Sequence, residues 1–205
     1  MLKELGLQAF IEQLESNEPV PGGGSVAALS SALSSALAAM VANLTIGKKN
    51  YETVSDEMVL VAERMHTHRI EFVDLIDKDA NSFDSVMKAF KLPKETDDEK
   101  AYRTNQIQEG MKYAASVPLE VAEKTAVLFD DLAFLVKSGN SNAQTDALVA
   151  AMMARTAILS ALYNVKINLG SIKDEAYVAE MKAKVAVLEN TAIQREKEIL
   201  ALSEL

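Results

Sequence analysis

Apolar residues recur along most of the chain at steps of three and four, the spacing of one helical face. Leu7, Phe10, Ile11 and Leu14 follow it near the N-terminus. Val178, Met181, Val185, Leu188, Ala192 and Ile199 follow it near the C-terminus, with Lys and Glu on the remaining sides. Between these ends, glycine and proline mark breaks at Pro19, Pro21 and Gly22–Gly24, at Gly47, Pro93, Pro118, Gly139 and Gly170. Pro118 is read as a first-turn proline, where its missing N–H had no helical partner to lose. The pattern predicts seven helices, roughly 2–15, 25–47, 52–90, 97–116, 117–138, 143–169 and 172–203. Thirty alanines and few β-branched runs favour helix over strand. Short connections make neighbours antiparallel, so the expected fold class is all-α, an elongated antiparallel bundle of about seven helices. Residues 1–205 read as a single domain, the expectation for this length.

The second segment, ALSSALSSALAAMVA, is small on every side and should be central, because small residues let neighbouring backbones approach. It buries little area per residue, so several helices or a second subunit must close around it; a homodimer is expected. Val26 to Ile46 carry no charge over twenty-one residues, long enough to span a bilayer. Four serines, Asn43, Thr45 and a preponderance of alanine over leucine favour a helix inside a soluble bundle, so no membrane partner is expected.

Composition narrows the chemistry. Lys and Arg number 21 against 30 Asp and Glu, a net charge of −9 without any basic block, so nucleic acid is not an expected partner. The chain has no cysteine, which removes disulfides, thiolate zinc sites, iron–sulfur clusters and cysteine nucleophiles together. His66 and His68 stand two apart on different helix faces and do not make a metal pair; no metal site is expected. The N-terminal MLKELGLQAFIEQLE carries charges throughout and lacks the apolar core of a secretory signal, so the expected location is the cytoplasm.

Three places look wrong for mere packing. Gly22, Gly23 and Gly24 followed by Ser25 run straight into the second helix, freeing backbone N–H groups to approach a ligand, with Ser25 expected as the cap. The bland alternative is a tight connector, and neither a P-loop ending nor a preceding strand is present. Asp79 falls in the stripe Phe72, Ile76, Asp79, Phe83, Val86, Phe90, where an apolar residue is due. It needs a cation, donors or a ligand there, or a structural salt bridge. Asp77 points roughly 200° away, toward solvent. Lys48 and Lys49 follow the second helix, where they complement its dipole or offer a positive field to an anionic substrate. Asn43 precedes them, Asp146 opens the sixth helix, and Ser160, Asn164 and Asn168 form a polar ladder on one of its faces, with Lys166 elsewhere.

In chain order, Phe10, Pro21-Gly22-Gly23-Gly24-Ser25-Val26-Ala27-Ala28-Leu29, Leu44-Thr45-x-Gly47-Lys48-Lys49-x-Tyr51 and Asp79-Ala80-x-x-Phe83 resemble one known family. Leu92-Pro93-Lys94, Val117-Pro118-Leu119, Gly139-Asn140, Asp146-Ala147 and Asn164-Val165-x-Ile167-Asn168 continue the same order. The family is the formiminotetrahydrofolate cyclodeaminase and methenyltetrahydrofolate cyclohydrolase group, and the resemblance covers nearly the whole chain. Thr145 stands before Asp146 where the family is associated with serine. The resemblance implies an all-α dimeric enzyme acting on tetrahydrofolate that carries a one-carbon unit, with or without a polyglutamate tail, and no cofactor beyond that substrate. It implies Asp79 and Asp146 as catalytic residues. Gly22, Gly23, Gly24, Ser25, Asn43, Lys48, Lys49, Asn164 and Asn168 would be substrate-binding, the lysines meeting the folate carboxylates. Cyclodeaminase is the main expectation and cyclohydrolase the alternative. A folate-binding subunit without chemistry, or a purely structural helical protein, are readings of another class.

Overall fold

A helix made of alanine and serine can be approached from every side, and the fold is arranged around one. The computed structural model describes residues 1–203 and 205. Its helices are α1 (Leu7–Leu14), α2 (Gly23–Thr45), α3 (Ser55–Phe90), α4 (Asp97–Ala126), α5 (Phe129–Ser138), α6 (Gln144–Leu169) and α7 (Glu175–Leu200). Single 3-10 turns at Leu2–Glu4, Glu52–Val54 and Ser141–Ala143 join them, and no strand occurs among the described residues.

α2 lies between α3 and α6. Ala27, Ala28, Ala38 and Ala42 are completely buried. Polar side chains on α2 are satisfied across these seams: Ser34 Oγ donates to the Ala150 carbonyl at 2.8 Å, and the hydroxyls of Ser31 and Thr125 are hydrogen-bonded to each other at 2.6 Å. Ser25 meets Ile76 while Gly47 meets Ser55, so α3 runs antiparallel to α2. Gly23 lies against Asn164 while Asn140 binds Thr45, so α6 is antiparallel as well. α4 packs over α3 and α6, and α5 and α7 close on α6. Phe72, Met58, Met65 and Phe129 fill the interior, and the C-terminal stripe buries Met181, Val185, Ala192 and Ile199 as its spacing requires.

The helix boundaries differ from the sequence reading in four places. The first helix does not begin at residue 2. Gly6 is the N-cap of α1, and Leu2–Glu4 form a separate turn fastened to α3 by Leu2 N–H donating to Asp77 Oδ1 at 2.6 Å and by Lys3 to Asp74 at 2.7 Å. Asp77 is therefore not simply solvated: this tether occupies one oxygen, and Oδ2 is buried without a partner. α2 starts at Gly23, ahead of the expected residue 25. Pro118 ends nothing; α4 runs through it to Ala126, and the break falls at Val127 and Leu128. The last helix starts at Glu175, where Asp174 accepts the Tyr177 N–H at 3.1 Å as cap.

By length and composition alone, α2 and the stretch Ser141–Leu169 are apolar enough to cross a membrane; most of the apolar window of α2 is buried in the bundle. Because the interior around α2 is filled by small residues, enlarging one should strain it. Ala38→Leu is expected to lower unfolding free energy by about 1–3 kcal/mol, read from the midpoint of urea denaturation.

Candidate active site

The start of α2, the middle of α3, Ala114 of α4 and the last turns of α6 enclose a cleft of about 300 Å³. Its walls include Val20, Gly22, Gly23, Gly24, Asp79, Phe83, Asn164, Ile167 and Asn168. Gly22 is the N-cap of α2, and the first intrahelical bond is Val26 N–H to the Gly22 carbonyl at 3.0 Å. The N–H groups of Gly23 and Gly24 precede it and, having no helical acceptor, give this wall a positive character. Ser25 is not the cap. It is the third residue of the helix, completely buried, and its Oγ stands 3.1 Å from both the Ile76 carbonyl and Asp79 Oδ2. The glycines move the helix start forward because the first turn asks for no side chain.

Asp79 is the one ionisable side chain on the cleft wall. Burial pushes its pKa up, opposed by the hydroxyl and the backbone N–H of Ser25, and it joins no ion pair among the described residues. The salt-bridge alternative is thereby removed in favour of donors. Gly24 is what lets the carboxylate sit there: a methyl group at that position would overlap both carboxylate oxygens. Gly23 plays the same part toward α6, since its Cβ would stand 3.0 Å from Asn164 Nδ2. The apolar stripe that Asp79 interrupts passes from the core at Phe72 and Ile76 to the cleft wall at Phe83, which is 36% exposed, and ends at Phe90 beside Arg103.

The polar ladder of α6 faces the same space. Asn164 Nδ2 donates to the Ser160 carbonyl at 2.9 Å. Asn168 Nδ2 donates to the Asn164 carbonyl at 2.9 Å and to the Ala114 carbonyl at 3.0 Å. That last acceptor is available because of Pro118. Four residues after Ala114, it has no N–H, so the helical partner of the Ala114 carbonyl is missing and α6 supplies a donor instead. With both amide hydrogens committed, Asn168 is locked in one orientation, and its Oδ1 remains as an acceptor. Lys166 turns away to Glu189 at 2.8 Å. The cleft thus offers one carboxylate and amide oxygens beside a helix N-terminus, between apolar walls, with no lysine or arginine on them. A flat ring with adjacent N–H donors and apolar faces fits that pattern.

The remaining candidates stand elsewhere in the chain. α2 is 23 residues long, about 35 Å at 1.5 Å per residue, and Asn43, Lys48 and Lys49 lie at its other end. Asp146 is in the first turn of α6, five turns before Asn164 on the same side of the helix. Within one chain these four do not reach the cleft. Their end of the bundle is firmly built. Gly47 and Asn50 take left-handed backbone conformations (φ 68° and 76°) on either side of the lysines. Asn140 holds Leu44 and Thr45 at 2.8 Å each, and Ser141 N–H donates to Tyr51 Oη at 3.0 Å. Sequence reasoning missed Val20, Phe83 and Ile167 as cleft walls; Phe83 had a signal as the residue following Asp79 in its stripe, and Phe83 and Ile167 both stand in the motifs that carry the resemblance.

Two outcomes follow from this geometry. A carboxyl whose folded pKa lies above its unfolded value binds protons more tightly in the folded protein. Its contribution to stability falls as pH rises from the ordinary carboxylate value through the raised one, then stays constant. Asp79→Asn is therefore expected to leave thermal stability at pH 7 equal or higher, with the advantage vanishing in acid, while turnover falls at least tenfold. Pro118→Ala returns an N–H to the Ala114 carbonyl in competition with Asn168. It should fold with unchanged or greater stability in a urea titration yet lose several-fold in kcat/KM.

The sequence model of the formiminotransferase-cyclodeaminase family matches residues 6–187. A formimidoyltransferase-cyclodeaminase of Sus scrofa is 36% identical over 182 residues, 89% of this chain and 34% of that protein. The chain thus spans about a third of the length of that relative. A methenyltetrahydrofolate cyclohydrolase of Methylorubrum extorquens is 40% identical over 174 residues, covering 85% of this chain and 84% of that one. The crystal structure of a formiminotetrahydrofolate cyclodeaminase from Thermotoga maritima superposes with a TM-score of 0.88 at 33% identity, over 98% of this chain and 97% of its own. With the family model matched over residues 6–187 and relatives 33–40% identical over 85–98% of its length, the chain belongs to the formiminotransferase-cyclodeaminase family.

Proposed function

We propose that this protein acts on tetrahydrofolate carrying a one-carbon unit, as a cyclodeaminase that converts 5-formiminotetrahydrofolate to 5,10-methenyltetrahydrofolate and ammonia. The observation that carries the reading is Asp79, buried beside Ser25 at the start of α2 without a cation. In the reaction the 10-nitrogen attacks the carbon of the protonated formimino group and loses its proton; the amino nitrogen of the tetrahedral intermediate takes up a proton and leaves as ammonia. The net movement is one proton from one nitrogen to another. A single carboxyl that accepts and returns it is sufficient, and burial brings its pKa toward the working range. The product is a delocalised cation, which a carboxylate and the Asn164 and Asn168 amide oxygens favour. No electrons change hands, so the chemistry asks for no cofactor beyond the folate.

Asp79 is assigned as acid and base, Gly22 to Ser25 as the backbone cradle, and Asn164 and Asn168 as acceptors for the pterin edge. Lys48 and Lys49 are assigned to the glutamate carboxylates, including those of a polyglutamate tail, with Asn43 and Asp146 beside them. The protein is assigned to the cytoplasm and to a homodimer. Cyclohydrolase activity, in which water opens the methenyl bridge, is the second reading. It is favoured by the similarity to the cyclohydrolase of Methylorubrum extorquens, most of whose length this chain spans.

The decisive assay follows the methenyl chromophore with purified protein from two starting points. Its appearance from 5-formiminotetrahydrofolate with release of ammonia is expected. Faster loss of the methenyl compound without that reaction would make the protein a cyclohydrolase. Silence in both would leave a folate-binding subunit. In the active direction, replacing Lys48 and Lys49 together by alanine should raise KM more than it lowers kcat, and the reverse would place the tail elsewhere.

A further inference from the structure

Buried hydroxyls deeper in α2 spend their hydrogen on their own helix: Ser30 and Thr45 donate to the carbonyl four residues back, at 2.9 and 2.7 Å. Ser25 stands in the first turn, where no helical carbonyl lies four residues behind it. Its Oγ reaches α3 instead, with the Ile76 carbonyl and Asp79 Oδ2 both at 3.1 Å. A hydroxyl has one hydrogen to give and can also accept. Two acceptors therefore share one donor, and Ser25 is completely buried, so water does not compete for it. The Ile76 carbonyl can do without that hydrogen, because the Ala80 N–H four residues on is its regular helical partner. The charged groups nearby are engaged elsewhere. α2 carries none. Lys78 turns to Glu120 of α4 at 2.6 Å, Asp74 holds Lys3 and Asp77 holds the Leu2 N–H. Lys112 of α4 and Lys166 of α6 bind Asp174 and Glu189, and Glu18 lies in the loop before the cleft. Burial and Ser25 set the proton affinity of Asp79.

We infer that the Ser25 hydroxyl is a reversible partner of Asp79: it donates to Oδ2 while the carboxylate is ionised, and when Asp79 holds a proton it turns its own hydrogen to the Ile76 carbonyl and accepts from the carboxyl group. The reversal needs rotation about one C–O bond and moves no heavy atom. A lysine, an arginine or a backbone N–H can only donate, so it favours the anion alone. A hydroxyl with a second acceptor at the same distance leaves neither protonation state with an unmet polar group, which keeps the two states close in free energy. Ser25 is thus a positioning residue that acts through Asp79. Its part in turnover rests on the folate reading; the pairing itself does not. In that reaction the proton from the 10-nitrogen goes onto Asp79, and Asp79 passes one to the departing amino nitrogen. Asp79 begins and ends ionised and is neutral between, so the hydroxyl reverses twice in each turnover and no proton is gained or lost.

The first test does not use activity. The C=O stretch of a neutral carboxyl is followed by infrared titration of the full chain, and subtraction of Asp79→Asn isolates the Asp79 band. Ser25→Ala removes the hydroxyl without adding a group, and circular dichroism checks its helix content. Its Asp79 should take up the proton at higher pH than in the wild type, because the anion has lost a donor, while the C=O band of the neutral form keeps its position. Ser25→Cys, a weaker partner of nearly the same volume, should titrate between the two. A second arm reads turnover. Ser25→Ala should lower kcat about tenfold with KM little changed, and shift the acid limb of the pH profile upward in step with the infrared midpoint. An infrared midpoint at or below that of the wild type would overturn the donor role. A wild-type band lower than that of Ser25→Ala would show a hydroxyl still donating to the neutral carboxyl and would overturn the reversal. The expected infrared behaviour with unchanged kcat would overturn the part in turnover. The same behaviour in a wild-type protein inactive on both folates would keep the pairing and overturn the folate reading.

Discussion

A carboxylate pressed against the first turn of a helix sets the terms for the rest of this protein. Asp79 can be buried without a cation only because Ser25 supplies donors and Gly24 supplies room. Burying an ionisable group this way works against folding. The alanine-rich seams between α2 and its neighbours supply the opposing stability, through close contact rather than large side chains. The same economy in side-chain size that brings α3 and α6 together leaves the glycine-lined opening where α2 begins. Site and core are thus two ends of one packing solution.

The cleft is also held from the α4 side, by a device that looks like a defect. A proline in mid-helix removes one hydrogen bond, and here the vacated carbonyl is taken up by Asn168 of α6. A cost within one helix becomes a link between two. The amide that makes the link is also the one whose oxygen lines the cleft.

Much of this was legible in the sequence because local rules and tertiary packing agreed. The three-and-four spacing located the helices, and the misfit of Asp79 in an apolar stripe located the cleft. Where they disagreed, the reading failed for identifiable reasons. Pro118 was taken as a boundary because local chemistry penalises it, whereas its missing bond is replaced from another helix. Ser25 was taken as a cap because serine before an apolar run usually is one, but the glycines begin the helix earlier and Ser25 turns inward to α3. Asp77 looked free because nothing nearby in sequence binds it; its partner is the backbone of Leu2. Asn43, Lys48 and Lys49 come in the motif next after the glycines and yet lie far from them in one chain, a separation that follows from the length of α2, and Asp146 is kept as far by the length of α6.

The turn that carries the two lysines is bracketed by left-handed residues at Gly47 and Asn50 and tied to Asn140 and Ser141. Such a turn has already given up its conformational freedom during folding. Cations displayed on it meet an anion without the ordering penalty that a loose basic tail would incur at the moment of contact. Under the proposed function, selection among ligands would then fall on where the charges of a flexible chain can be placed, so reach and spacing, more than total negative charge, would be what this end of the molecule measures.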